Sequence, residues 1–315
     1  MTTLHTKPAA SARELFEGAL AHHVGGRLDA AVAAYREALA IDPTLAPALN
    51  NLGALLAPQA QTADAIDLFR RAVASDPTYA EAHNNLGIAL SESGAHTEAI
   101  AHFEAALSQE LSRAAWWNNL GNACVECFRL DKALDAYDHA IAIDPGAADV
   151  WSNRGLALRG LRRADDAIAS FQRALEVDPR FVNALVNLGI VLKEQRRHDQ
   201  AIVAFERART LRPNDPALLC NYASVHEARG EYERMRELAD LAAQIDESFP
   251  EAHVLRGNYY MERGEFPAAE SAYQRARSLD ADNRNANWNL ALIWLLHGDY
   301  RRGWTQFEWR KRLQS

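Results

Sequence analysis

Asparagine stands at one place in this sequence again and again. Asn51, Asn85, Asn119, Asn153, Asn187 and Asn221 follow one another at 34 residues, and Asn289 returns to the frame after one gap. A carboxamide carries a carbonyl acceptor and an N–H donor, the same two functions as a peptide unit. A row of such groups can grip an extended backbone without regard to its side chains. Asn122 adds a further amide one helical turn from Asn118. The competing reading is that these amides bond neighbouring helices and recur because the unit was duplicated.

Two other groupings have chemistry in their spacing. Cys124-Val125-Glu126-Cys127 has the spacing of a redox pair or of half a zinc site, and His22-His23 offers two adjacent imidazoles. The third and last cysteine, Cys220, makes no second pair, Cys124 falls on an apolar helix position, and the histidines lack a carboxylate or thiol at ligand spacing. Both groupings are therefore read as structural. With no Gly-rich phosphate loop and no nucleophile elbow, the expectation is a chain with no catalytic site, no metal and no cofactor.

The elements that carry the asparagines repeat with them. Units of 34 residues begin at residues 12, 46, 80, 114, 148, 182, 216, 250 and 284, and each reads as two helices. Apolar residues recur at helical spacing, as in Trp117, Leu120 and Cys124, and again in Leu130, Ala133, Leu134, Tyr137 and Ala140. Asp-Pro pairs at 42–43, 76–77, 144–145 and 178–179 close the second helices, because a residue before proline is pushed out of the α region. Thr78…Glu81 and Ser248…Glu251 have the spacing of capping boxes. Gly26, Gly94, Gly230, Gly264 and Gly298 mark the turns inside units. A small residue recurs at position 8 (Gly53, Gly87, Gly121, Gly155, Gly189, Gly257), an aromatic at position 24 and alanine at position 27. Unit 216–249 departs, with Ala223, Met235, Ala239 and Glu247 at the signature positions, and reads as a soft point.

Composition bounds the function. A net charge of −8 over 315 residues argues against nucleic acid, whose phosphates demand a basic stripe. Three cysteines give no disulfide framework. The first eleven residues are small and polar and are read as a disordered lead-in without the apolar core of a signal peptide. No apolar run reaches membrane-spanning length. The expectation is a cytoplasmic protein that engages neither membrane nor nucleic acid.

The 34-residue pattern over residues 12–315 resembles the tetratricopeptide repeat. The resemblance implies an all-α solenoid, a right-handed superhelix of about nine helix-turn-helix repeats whose first helices line a concave groove. The asparagine row resembles the ladder in the repeat domain of O-GlcNAc transferase, which implies a grip on a peptide backbone. Packed helices lie about 8–10 Å apart and an extended chain advances about 3.3 Å per residue. Each rung would then meet about every third residue, and six consecutive rungs on the order of 15. The flanking charges Glu92, Glu126, Glu194 and Glu262, with Arg159 and Lys193, lean towards a basic peptide, against the simpler reading of a solvated face. A carboxylate clamp of the kind chaperone-binding members use would need basic residues beside the groove asparagines, and Asn118 and Asn122 have none.

The last unit is rich in rings: Trp288, Trp294, Trp304 and Trp309. One reading is a cap on the end of the array. The stretch also resembles the final repeat of bacterial repeat proteins that continue into a glycosyltransferase. The sequence thus supports a non-enzymatic scaffold for proteins or extended peptides. Its alternatives are the substrate-recruiting arm of a glycosyltransferase whose catalytic domain lies outside this chain, and a scaffold that self-associates through its repeat ends.

Overall fold

The computed structural model describes residues 11–59 and 61–308. Those residues form eighteen α-helices, a short 3-10 turn at Ala57–Gln59 and no strand. The chain divides into two compact units, Met1–Leu161 and Arg162–Ser315. In the first are α1 (Ala12–Val24), α2 (Leu28–Ile41), α3 (Ala46–Leu56), α4 (Thr62–Ser75), α5 (Ala80–Glu92), α6 (His96–Gln109), α7 (Ala114–Glu126), α8 (Leu130–Ile143) and α9 (Ala148–Gly160). The second holds α10 (Ala164–Val177), α11 (Val182–Glu194), α12 (His198–Leu211), α13 (Pro216–Ala228), α14 (Tyr232–Ile245), α15 (Pro250–Glu262), α16 (Phe266–Leu279), α17 (Arg284–Leu296) and α18 (Tyr300–Phe307). None exceeds 14 residues, as in α4. Helices this short are marginal alone and are held by packing along the array.

The small and large positions of the repeat meet each other. A Cβ on Gly121 would lie 2.4 Å from Cε1 of Tyr137; the same ring position closes on Gly53, Gly87, Gly189 and Gly257 through Phe69, Phe103, Phe205 and Tyr273. Glycine is thus required by an approach too close for any side chain, not by backbone freedom. Alanine at position 27, from Ala38 to Ala276, is wholly buried at every one of its eight occurrences. Unit 216–249 keeps the logic with other residues: Ala223 and Ala239 are both fully buried, and no ring stands at position 24 to demand glycine. Its buried ring is Tyr222 instead, 6.0 Å from Phe205 of the preceding repeat and donating to Glu206 Oε1 at 3.2 Å.

Among the described residues, eight of the turns inside units place a residue at positive φ. Gly94, at φ 84°, donates to Ser91 O, and Ala95 donates back to Leu90 O at 2.8 Å. This left-handed closure satisfies the last carbonyls of the helix. Phe128, Arg162 and Arg196 adopt φ of 56–58° although none is glycine. The bonds from Phe128 N to Val125 O and from Arg129 N to Cys124 O hold Phe128 there, against a left-handed cost of about 1–2 kcal/mol.

The capping expectation is corrected. Neither α5 nor α15 has a side-chain cap; their N-cap residues are Tyr79 and Phe249. The hydroxyls of Thr78 and Ser248 donate backwards instead, to Asp76 Oδ1 at 2.7 Å and Asp246 Oδ1 at 2.6 Å, with their own backbone N–H groups on the same oxygens. The aspartate of the preceding turn captures the side chain before the helix can. A complete capping box forms at Ser11 and Glu14, opening α1. The remainder of the proposed lead-in lies outside the described residues.

In the last unit Trp294 is buried, donates Nε1–H to Glu270 Oε1 at 2.7 Å and carries the Arg302 guanidinium 4.2 Å above its ring. Trp288 packs on Phe307 with centroids 4.9 Å apart, while Trp304 remains 57% exposed. Trp309 lies outside the described residues.

Candidate peptide-binding face

The first helices of successive repeats present position 5, position 6 and position 9 towards one another, and the asparagines there divide by their partners. Asn85 Nδ2 donates to Asn50 Oδ1 at 2.9 Å, Asn119 Nδ2 to Asn84 Oδ1 at 3.2 Å, and Asn153 Nδ2 to Asn118 Oδ1 at 3.1 Å. Each bond joins position 6 of one repeat to position 5 of the repeat before it. Asn50 and Asn84 are buried, so these acceptors would otherwise be orphaned. Asn51 is tied at both ends, donating to the Tyr35 hydroxyl and accepting from Asn50. Asn289 Nδ2 donates to Asn258 Oδ1 at 3.1 Å, one turn along the neighbouring helix.

Asn187 and Asn221 differ. Each is half-buried, and the amide of neither has a partner among the described residues. For Asn221 the cause is visible: position 5 of the preceding repeat is Val186, which offers no acceptor. The sequence showed the row but not this division. Asn50, Asn84 and Asn118, the acceptors that separate the two classes, were legible only as the first letter of an Asn-Asn pair.

Asn122 is exposed, and its Oδ1 accepts from the Tyr137 hydroxyl at 2.8 Å and from Asn153 Nδ2 at 3.2 Å. Burial pushes the Tyr137 phenol far above its usual range, so it stays a donor. Asn258 repeats the arrangement with Tyr273 at 2.7 Å and adds a bond from its Nδ2 to Glu227 Oε1. The sequence did not single out Asn258, although it holds the same position as Asn122 in its own repeat.

Three cavities open along these helices. One of about 350 Å³ is lined by Ala54, Pro58, Phe69, Asn85, Ile88 and Glu92. It adjoins one of about 180 Å³ lined by Ser91, Glu92, His96, Asn119, Asn122 and Glu126, and Ile88 borders both. In the second unit a cavity of about 510 Å³ is lined by Lys193, Glu194, Arg196, His198, Ser224 and Glu227. Burial raises the Glu227 carboxyl pKa, an effect opposed by the Asn258 bond.

The remaining candidate groups are either partnered or buried. His22 Nδ1 accepts from Arg27 Nε at 2.9 Å, and His23 Nδ1 lies 3.4 Å from the Tyr35 hydroxyl. Cys124 is buried, which raises its thiol pKa, and burial pushes the Cys220 thiol up to about 12. Thiols held protonated in this way are poor nucleophiles.

A histidine pair that the sequence did not reveal lies behind the face. His83 Nε2 donates to Pro77 O at 3.1 Å, which leaves its Nδ1 to accept from His102 Nδ1 at 3.0 Å. Burial, His83 and Arg70 lower the His102 pKa, and Glu98 opposes them. The unfolded chain therefore takes up a proton at higher pH than the folded one. Stability is expected to fall as pH drops through the ordinary histidine value towards the lowered one. Melting temperatures followed from about pH 7.5 to 5 should decline, and His102→Gln should flatten that decline. An unchanged slope would remove His102 as its source.

A family model described as Cilia and flagella-associated protein 70 C-terminal domain matches residues 79–292, and one described as TPR repeat matches residues 19–59. Among solved structures, a tetratricopeptide repeat protein from Parabacteroides merdae ATCC 43184 matches at TM-score 0.65 and 21% identity, covering 79% of this chain and 98% of that one. Pseudomonas aeruginosa pilF matches at TM-score 0.56 and 22% identity, covering 66% and 94%. MamA matches at TM-score 0.50 and 28% identity, covering 54% and 92%. No curated protein matches the sequence. Among the described residues no helix is long and apolar enough to cross a membrane.

Proposed function

Because the chain belongs to the tetratricopeptide-repeat family, whose members bind protein or peptide partners, we propose that it is a non-enzymatic scaffold holding an extended peptide along its first helices. The observation that carries this reading is that, in each of the two compact units, position-6 amides keep hydrogen-bonding capacity to spare. Asn187 and Asn221 offer both ends of the amide, whereas Asn85 and Asn119 spend one N–H between helices, Asn153 spends its Nδ2 on both Asn118 and Asn122, and all three keep Oδ1 without a partner among the described residues. A carbonyl oxygen so placed accepts a peptide N–H, and a free N–H2 donates to a peptide C=O. Two cavities bordered by these residues supply room for side chains. The likeness to the O-GlcNAc transferase ladder lies in this use of asparagine and extends to no catalytic group.

The test is a selection of random twelve-residue peptides displayed against the whole immobilised chain. Enrichment of peptides that bind without secondary structure of their own, by circular dichroism of the free peptides, is the expected result. Failure of any peptide to enrich over an uncoated surface would overturn the reading.

A further inference from the structure

We infer that the cavity bounded by Ser91, Glu92, His96, Asn119, Asn122 and Glu126 receives a lysine or arginine side chain of the bound peptide, and that the adjoining cavity receives an apolar side chain two to three residues away. This rests on the peptide-binding reading of the face and adds to it the chemistry of the partner.

The first support is an excess of acceptors. The carboxylates of Glu92 and Glu126 line the cavity and have no ion-pair partner among the described residues. Elsewhere in the same unit the chain pairs such groups across repeats, as in Glu98 with Arg70 at 2.9 Å and Glu104 with Lys132. Ser91 Oγ and His96 Nδ1 line the same cavity, are shut off from solvent and have no hydrogen-bond partner among the described residues. Asn119 Oδ1 is likewise without one. Buried polar atoms are seldom left unmatched, and a set consisting of carboxylates, a hydroxyl and an amide oxygen calls for a donor with several N–H groups. Lysine and arginine carry about three and five.

The second support is supplied by the chain itself. The second unit's cavity occupies the same repeat positions: Lys193 corresponds to Ser91, His198 to His96, Asn221 to Asn119, Ser224 to Asn122 and Ala228 to Glu126. There Lys193 Nζ donates to Ser224 Oγ at 2.9 Å. A cation of the protein's own lines that cavity together with two carboxylates, Glu194 at the position of Glu92 and Glu227, whose charged form Lys193 favours. Where Ser91 stands in place of the lysine, two carboxylates again line the cavity, Glu92 and Glu126, and the cation must come from outside.

Dimensions fit the pair of side chains. A cavity of about 150 Å³ takes a benzene-sized group, so about 180 Å³ accommodates one long side chain and no folded element. Equivalent positions of neighbouring repeats lie about 8–10 Å apart, two to three residues of an extended chain at about 3.3 Å each. The adjoining cavity is built from the same positions one repeat earlier, Ala54, Asn85 and Glu92 against Ile88, Asn119 and Glu126, and Ala54, Pro58, Phe69 and Ile88 make it apolar.

The experiment uses the peptides enriched on the whole chain, resynthesised with a fluorophore and measured by anisotropy. Enriched sequences are expected to share a Lys or Arg with an apolar residue two to three positions away, and changing that cation to Gln should weaken binding. Glu92→Gln combined with Glu126→Gln should weaken the basic peptides about 2–30-fold, the loss of two exposed charge pairs. Ser91→Lys, which copies Lys193, should weaken them too, and Glu126→Ala, which copies Ala228, by part of the same amount. Melting temperatures of the Glu92 and Glu126 variants should stay near that of the parent, since surface changes of this kind rarely exceed about 0.5 kcal/mol. Enriched peptides with no shared basic residue would overturn the cation site and leave the peptide groove standing. Basic peptides that bind the double variant within about twofold of the parent would also overturn it. If no peptide enriches at all, the groove itself fails.

Discussion

Gly121→Ala is expected to destabilise the chain by about 1–3 kcal/mol, and in a Tyr137→Ala background the same substitution is expected to stabilise it. In an exposed helix, glycine to alanine gains about 1 kcal/mol. Here the added Cβ would stand 2.4 Å from Tyr137 Cε1 and 2.7 Å from Cδ1, inside contact distance for a ring that is 1% exposed. The ring cannot swing out without opening the core and breaking its bond to Asn122, so the clash outweighs the propensity. Tyr137→Ala alone should cost about 3–5 kcal/mol, as other buried rings do. With the ring gone, the space for the methyl exists and the propensity term returns. Repeat 216–249 already carries this combination, Ala223 with Ala239. Because repeats unfold partly one by one, hydrogen exchange in α7 and α8 is the measurement to pair with thermal melts. An equal penalty for Gly121→Ala in both backgrounds would show that the ring is not what excludes the side chain.

That prediction could be framed from the sequence up to a point. Period, helix pairing and the small-against-large positions were all legible, because a glycine and an aromatic that recur together at fixed positions point to a ring packed on a backbone. The turn at Phe128 was not: its left-handed φ is forced by the closure of α7, and nothing in the residue announces it. Thr78 and Ser248 misled because two local bonds compete for one hydroxyl, and the Asp of the preceding turn captures it before the helix N–H can. The asparagine row was legible as a row. Its division was not, because neighbouring helix positions differ by about 100°, and whether position 6 finds an acceptor depends on a residue in the repeat before. Asn50, Asn84 and Asn118 provide one; Val186 does not. Sequence alone therefore placed Asn119, Asn153 and Asn187 in one class, and the structure separates the first two from the third.

The separation makes the functional proposal testable in two arms. Replacing Asn85, Asn119 or Asn153 with alanine removes a donor from an acceptor enclosed between helices, at a cost of about 1–3 kcal/mol each. Replacing Asn187 and Asn221 removes no bond among the described residues, and alanine is the better helix former by a few tenths of a kcal/mol. The double variant should melt at or slightly above the parent temperature. If these two amides hold a peptide backbone, each contributes about 0.5–1.5 kcal/mol to binding. Losing both should weaken an enriched peptide that spans them by about 5–150-fold. Stability and affinity are therefore expected to move independently: the first set lowers the melting temperature, and the second lowers affinity with folding intact. Affinity unchanged in Asn187→Ala with Asn221→Ala, for peptides whose footprint by hydrogen exchange covers α11 and α13, would reduce these asparagines to relics of duplication. A double variant that melts as the parent does and releases its peptide would place the grip on the two rungs that no neighbouring helix has claimed.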